Sequence, residues 1–462
     1  MKVLLTHGYF IHEDIAESAI MKPYPPLGIL YLSAGLNKAG IPNTIFDSTF
    51  SDRESLERFI DETKPDIIGI YSTLMTRWNI LGIIAFVKMS FYRREITIII
   101  GGPDARYHAN DYLDFGADII VPGEGDEVLP EIIDVFSSRW MKKLADVRGI
   151  YVRGTWGGDM KNRFVFTGER KPMDIRDVPI PDYSEIDVPS YLEHWKSKHG
   201  YFSMTINSMR GCPYSCNWCC KSVFGNTYRR RDAVAVVDEM ELLINKFHPD
   251  QVWFTDDVFT ISKEWLKEFN SEIQKRNVVL PYECVTRSDC LDDEVAELLK
   301  ISGCSKVWIG AESGSQHVID LMNRRIDLVW TSRMINSIKS HGMLVGTFIM
   351  LGYHGEKKKD ILKTARFLKR TLPDEFTVGT AYPIKGTKYF ETVEPFFYHR
   401  YNWESGSERQ IKFKKPFNDR FYRFASRYLI NIIALKKAGP GERRRSFFFK
   451  AMVSKMYILL FR

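Results

Sequence analysis

The chain has 462 residues, 44% hydrophobic and 27% charged, the balance of a soluble globular protein with two or three domains. No apolar run approaches the roughly 20 residues that span a bilayer. The formal charge of +7 is concentrated late: residues 391–462 carry 16 Lys and Arg against 6 Asp and Glu, a balance of +10, so the preceding chain sums to −3 and is a poor general binder of nucleic acid. Seven cysteines, four of them within residues 212–220, exclude a disulfide framework, and the N-terminus reads as a first strand without signal-peptide features. A reducing, cytoplasmic setting is expected.

In residues 1–140, short runs dense in Val and Ile (2–6, 43–47, 66–71, 97–101, 118–121) alternate with helical patterns (27–39, 55–63, 80–92, 128–136). This predicts buried parallel strands in an open, doubly wound, Rossmann-like α/β sheet. Ligands of such sheets sit outside the carboxyl ends of the strands. There the chain places Thr6-His7-Gly8, Ser72-Thr73-Leu74-Met75, Gly101-Gly102-Pro103 and Pro122-Gly123-Glu124-Gly125. Glycine lets backbone approach a flat ligand closely, although ordinary βα turns have the same composition. No G-x-G-x-x-G follows the first strand, which argues against a nicotinamide dinucleotide.

The stretches PPLGILYLSAGL (25–36), IIIGGPDA (98–105) and VPGEGDEVLPEI (121–132) resemble the N-terminal cobalamin-binding domain of a large subfamily of radical S-adenosylmethionine (SAM) proteins. The resemblance implies bound cobalamin near Thr73, Gly101, Gly102, Gly123 and Glu124, with loop 73–76 facing the lower side of cobalt. The D-x-H-x-x-G motif that supplies a cobalt-ligating His in mutases is missing: Leu5 stands two residues before His7, and Arg106 before His108. Ligation by His is therefore not expected.

Residues 141–200 read as a linker rich in Gly and Pro. Strand-like pieces at 149–153 and 163–167 suggest a hairpin around Gly157-Gly158, and Pro179 and Pro181 exclude a helix there.

Residues 201–390 contain six strand–helix units. The strands are expected at 202–207, 251–255, 282–286, 306–311, 344–351 and 377–382, and the helices at 234–246, 263–275, 292–301, 329–341 and 358–370. The span is short of the about 250 residues of an eight-unit barrel and predicts an open, partial (β/α)6 TIM-like barrel. After its first strand comes MRGCPYSCNWCC (209–220), with Cys212, Cys216 and Cys219 at C-x3-C-x2-C spacing. Gly211 and Pro213 keep the loop out of a helix, so it can wrap three thiolates around one metal centre, as iron–sulfur sites do. Cys220 adjoins Cys219, and neighbouring residues point in different directions. A zinc knuckle is the alternative.

This loop, with Trp218 before the third Cys, resembles the signature of the radical SAM superfamily. The resemblance implies a [4Fe-4S] cluster on Cys212, Cys216 and Cys219 whose open iron binds SAM, and it extends to the strand ends. Thr255-Asp256-Asp257 stands where the family holds the SAM amino group. Gly310-Ala311-Glu312-Ser313-Gly314 resembles the G-x-E-S-G segment near the SAM ribose and carboxylate. Arg287 is suited to neutralise a carboxylate. Plain structural readings also exist: Asp256 or Asp257 as helix caps, Arg287–Glu312 as an ion pair, and Cys284, Cys290 and Cys304 as core residues.

Residues 391–462 form a basic, aromatic, helical C-terminal extension. Residues 417–437 show helical spacing with Phe421, Phe424, Tyr428 and Ile432 on one side, and 443–462 join three Arg to Phe447-Phe448-Phe449. Such helices either cover the open side of the barrel or lie on an anionic membrane surface. Together the parts imply a cobalamin-dependent radical SAM methyltransferase acting on an unactivated carbon of a small-molecule or lipid-like substrate, reduced by a donor such as flavodoxin or ferredoxin. It would be cytoplasmic, with peripheral membrane contact through the tail. The rivals are an oxidative cyclase of the magnesium-protoporphyrin monomethyl ester type and a non-catalytic cobalamin or iron–sulfur sensor.

Overall fold

β-branched runs build the first sheet where the sequence predicts it. β1 (Val3–His7) lies between β2 (Asn43–Phe46) and β3 (Ile67–Tyr71), followed by β4 (Thr97–Gly101) and β5 (Ile119–Val121), all parallel. Alternate residues bury opposite faces: Leu5, Ile67, Ile99 and Ile119 enter one core cluster, and Leu4, Ile68, Ile98 and Ile120 the other. The order 2-1-3-4-5 reverses between β1 and β3, which opens a crevice at the carboxyl ends of the strands. β6 (Tyr151–Arg153) and β7 (Phe164–Phe166) pair as the expected hairpin and extend this sheet antiparallel beyond β5.

The computed structural model describes residues 1–90, 93, 95–138, 143–155 and 163–460. The turn expected at Gly157-Gly158, the last two residues of the helix expected at 80–92, and Phe461-Arg462 lie outside these.

The second sheet holds six parallel strands in chain order: β8 (Ser203–Ile206), β11 (Gln251–Phe254), β12 (Tyr282–Thr286), β13 (Cys304–Glu312), β14 (Leu344–Leu351) and β15 (Glu375–Thr380). Between β8 and β11 a two-stranded ribbon, β9 (Met209–Arg210) with β10 (Arg229–Arg230), frames the cysteine loop. The strands curl into an open half-barrel with the helices outside. β15 starts and ends two residues earlier than the sequence pattern suggests. Cys284 and Cys304 are core residues as expected, whereas Cys290 is only half-buried.

The penultimate helix, Asp419–Lys437, buries Phe421, Ala425, Tyr428 and Leu429 and packs on the Lys358–Thr371 helix of the half-barrel. Phe424 and Ile432, expected on the same side, are half-buried. The terminal helix, Glu442–Leu460, folds back on it. No described helix is long and apolar enough to cross a membrane.

Between the half-barrel and these helices, the segment from β16 (Phe397–His399) to β17 (Lys412–Phe413) reaches back to the first domain. Glu408, 1% exposed, meets His108 Nε2 at 2.8 Å and Arg77 Nη2 at 3.1 Å. Arg77 in turn grips Asp104 at 2.6 and 2.9 Å. Burial opposes ionisation of Glu408, but the His108 hydrogen bond and the Arg77 charge outweigh it and pull its carboxyl down to about 2. A depressed carboxyl adds stability above its ordinary pKa and loses it as pH falls toward the folded value. Glu408→Ala should therefore cost about 3 kcal/mol at neutral pH, since it leaves His108 Nε2 without its buried partner and removes one of the two carboxylates on Arg77. Denaturant titrations should show the wild type and the variant converging between pH 4.5 and about 2.

Candidate active site at the barrel mouth

The cysteine loop leaves the half-barrel through a buried carboxylate. Asp256 Oδ1 accepts the amides of Ser208 at 2.7 Å and Met209 at 3.1 Å, Oδ2 pairs with the Ser208 hydroxyl, and Arg230 stands 3.5 Å away. Neither Asp256 nor Asp257 caps the next helix, whose cap is Ser262. Two residues further, Gly211 has φ +84°, and a Cβ there would meet Thr227 Oγ1 at 2.4 Å, so the turn demands glycine. Lys221 threads the loop, donating to the carbonyls of Cys212 (2.8 Å) and Tyr214. Asn217 is pinned by Met322 O at 3.1 Å and by the Tyr389 amide at 2.8 Å.

The thiols of this loop form one electrostatic group. Burial raises Cys212, with Asp257 and the Cys216 thiol adding to the shift; Cys219 reaches solvent and is raised as well, by the protein packed around it and by Asp257, Cys212 and Cys216. A bound cation would favour the thiolate form of such thiols, which fits a metal cluster. Cys220 is also raised by burial, but the charges it feels are Glu408 and Asp104, on the first-domain side. Among the described residues only Asp104, His108 and Glu408 bring three ligand atoms within 4.8 Å of one another, and Arg77 already supplies the cation there. The loop thiols do not all gather so closely.

Two guanidiniums converge on Cys216 Sγ, Arg287 Nη1 and Arg324 Nη1 each at 3.5 Å. Arg287 holds Asp289 in a bidentate pair at 2.9 and 2.8 Å and lies over the Tyr214 ring at 3.8 Å. The pairing considered between Arg287 and Glu312 is thus replaced: the arginine facing Glu312 is Arg324, at 3.8 Å. Glu312 itself sits at φ +59° beside a bulge in β13, and burial raises its carboxyl against the pull of Arg324 and Arg287. Left-handed backbone at a non-glycine residue costs about 1–3 kcal/mol and gathers at functional sites. Ser313 is 1% exposed, and its hydroxyl meets Thr364 and the Ser315 amide.

A cavity of 370 Å³ opens at the carboxyl ends of β1, β3, β4 and β5. Gly101, Gly102 and Gly123 line it from the first domain, and Asn207, Arg210 and Thr255 from the half-barrel. A Cβ on Gly101 or Gly123 would meet no neighbour closer than 3.7 or 4.0 Å and would project into this space, so the cradle fits a large flat group. Gly102, at φ +95°, has Ser72 O 2.5 Å from the Cβ position and no room for one. Glu124 also borders the cavity, but its carboxylate is clasped by Arg210 at 3.1 Å and by Arg229; Asp126 takes Arg210 at 2.9 Å. Thr73 stands outside the lining, with its amide on Thr76 Oγ1 at 3.0 Å. Both ring nitrogens of His7 are engaged, Nε2 with Asp47 at 3.0 Å and Nδ1 by the Tyr9 amide at 3.2 Å. Both nitrogens of His108 are also taken, by Asp111 and Glu408.

The structure thus gathers Cys216, Arg287 and Glu312 around Arg324, while Asp257 bears on Cys212 and Cys219. It keeps Thr73 apart and turns Asp256, Ser313 and Glu124 into protein contacts. The roles of Arg324, Tyr214, Lys221 and Arg210 are not evident in the sequence: Arg210 and Tyr214 stand among the cysteines without being part of their spacing, Lys221 and Arg324 lie outside the stretch, and each acts across 7 to 108 residues.

Comparison with known proteins matches residues 206–368 to the radical SAM superfamily and residues 19–133 to the B12 binding domain. An uncharacterized methyltransferase of Pyrococcus horikoshii is 26% identical over 81% of this chain and 80% of its own length. The anaerobic magnesium-protoporphyrin IX monomethyl ester cyclase of Rubrivivax gelatinosus is 26% identical over 87% of this chain and 72% of its own length. The fold of the radical SAM methyltransferase TsrM from Kitasatospora setae, solved with cobalamin and a [4Fe-4S] cluster, superposes with a TM-score of 0.72 at 16% identity, covering 98% of this chain and 99% of that one.

Asp256→Ala should cost about 3–5 kcal/mol in chemical denaturation, because it strands Arg230 and two buried amides. Reconstituted iron and sulfide should fall with it.

Proposed function

Because the chain belongs to the radical SAM superfamily and carries a B12-binding domain, we propose that it is a cobalamin-dependent methyltransferase acting on an unactivated carbon of a small-molecule or lipid-like substrate. The observation that carries this reading is the shared mouth: the glycine cradle of the first domain and the root of the cysteine loop, through Arg210 and Thr255, border the same cavity. When bound, the [4Fe-4S] cluster and SAM supply a 5′-deoxyadenosyl radical that removes a hydrogen atom, and cobalamin supplies the methyl group.

The chain's residues then have separable tasks. Cys212, Cys216 and Cys219 would hold the cluster through their thiolates and leave it accessible to SAM. Arg287 and Arg324 stabilise the Cys216 thiolate by charge-assisted N–H contacts. Glu312, Thr255 and Asp257 bind the polar ends of SAM, while Asp256 and Ser313 hold the surrounding turns in place. Gly101, Gly102 and Gly123 seat the corrinoid, and Glu124 clasps the two domains together. Electrons come from a small carrier such as flavodoxin or ferredoxin, and the basic C-terminal region supports contact with a membrane.

A second reading, oxidative cyclisation, is favoured by the Rubrivivax relative, which matches this chain at the same 26% identity. Anaerobic turnover with methyl-labelled SAM and cell extract as the substrate source separates the two. Label in the product supports methylation, and an unlabelled cyclised product supports the rival. Absence of deoxyadenosine points to a sensor. In the same assay Cys212→Ala, Cys216→Ala and Cys219→Ala should abolish SAM cleavage, with Cys220→Ala retaining it. Gly101→Val should lower cobalamin content about tenfold through overpacking of the cradle, at unchanged iron content.

A further inference from the structure

The terminal helix, Glu442–Leu460, has one side that the fold leaves uncovered. Its inner side packs through Ala451, Ser454 and Ile458, each at most 3% exposed, and Tyr457 stacks on Phe424 at 4.1 Å. The opposite side carries Phe448, Phe449, Met452, Met456 and Leu460, which are 42–70% exposed. At about 100° per residue these five fall within a single arc facing away from the packed side. Arg444 and Lys455 border that arc on one edge, Arg445 stands within it one turn before Phe448, and Lys450 and Arg443 flank the packed side beyond its other edge; Glu442 is the only acid of the helix.

We propose that this face seats on a membrane surface bearing anionic lipid headgroups, with the helix lying in the plane of the interface. The charge arrangement selects the occupant. A second copy of the helix would bring basic borders against each other, and an acidic protein groove would meet the borders but needs a matching apolar floor. A bilayer surface supplies both, since acyl chains take up Phe, Met and Leu while headgroups meet the basic rims, whose long stems reach them. Lys358 Nζ, on the half-barrel, donates to Leu459 O at 3.1 Å, so the seated helix is tied to the body of the protein. This docking stands independently of the reaction assigned above.

Flotation of the full chain with vesicles tests it, using phosphatidylcholine containing about one third phosphatidylglycerol and phosphatidylcholine alone. The wild type should float with the first and not the second, and added salt should weaken binding. Arg443→Glu with Lys450→Glu should lower partitioning about tenfold or more. Phe448→Ser with Met452→Ser and Met456→Ser should lower it comparably. All five sites are exposed, so circular dichroism should match the wild type. Three results would overturn the proposal: no flotation with the anionic vesicles, equal flotation with both kinds, or flotation unchanged in both variants. A wild-type dimer that the apolar variant dissociates, without flotation, would assign the face to self-association instead. SAM cleavage is measured separately, so failure here leaves the enzymatic reading to its own assay.

Discussion

Buried charge fixes the root of the cysteine loop from two sides. Asp256 receives the backbone at Ser208 and Met209 from within the half-barrel, and Arg210, 3% exposed, runs into Glu124 and Asp126 of the first domain. Charges this deep are tolerable only when paired and hydrogen-bonded. Their partners therefore admit little freedom, and the loop leaves the barrel in one direction. The direction in which the loop presents Cys212 follows from that anchoring.

The two-domain arrangement is reinforced away from the loop. Glu408 reaches from the C-terminal segment to His108 and Arg77, which follow β4 and β3 of the first sheet. Two ion-pair clusters thus tie the first domain to the rest of the chain, one at the root of the cysteine loop and one at the C-terminal segment. Neither cluster could be replaced by apolar packing without losing direction, because a guanidinium–carboxylate pair fixes orientation as well as distance.

Much of this was legible in the order of residues. Period-2 burial of Ile-rich runs and the helical stretches between them gave both sheets, and the cysteine spacing and the glycine-rich strand ends marked the two sides of the mouth. What was not legible depends on long-range charge. Nothing local distinguishes Glu124, clasped by Arg210 and Arg229, from a glutamate facing a ligand, and Asp256 and Asp257 differ only in which way the backbone turns. Arg324 replaces Arg287 as the arginine facing Glu312 because the turn after β13 brings it back over the strand. Cys290 reads as a core cysteine, yet it meets the Tyr214 hydroxyl at 2.8 Å.

The loop at residues 122–127 serves two masters. Gly123 and Gly125 border the cavity, while Glu124 and Asp126 hold the arginine immediately before Gly211 and Cys212. One short run of residues thus sets both the wall of the cavity and the point from which the cysteine loop departs.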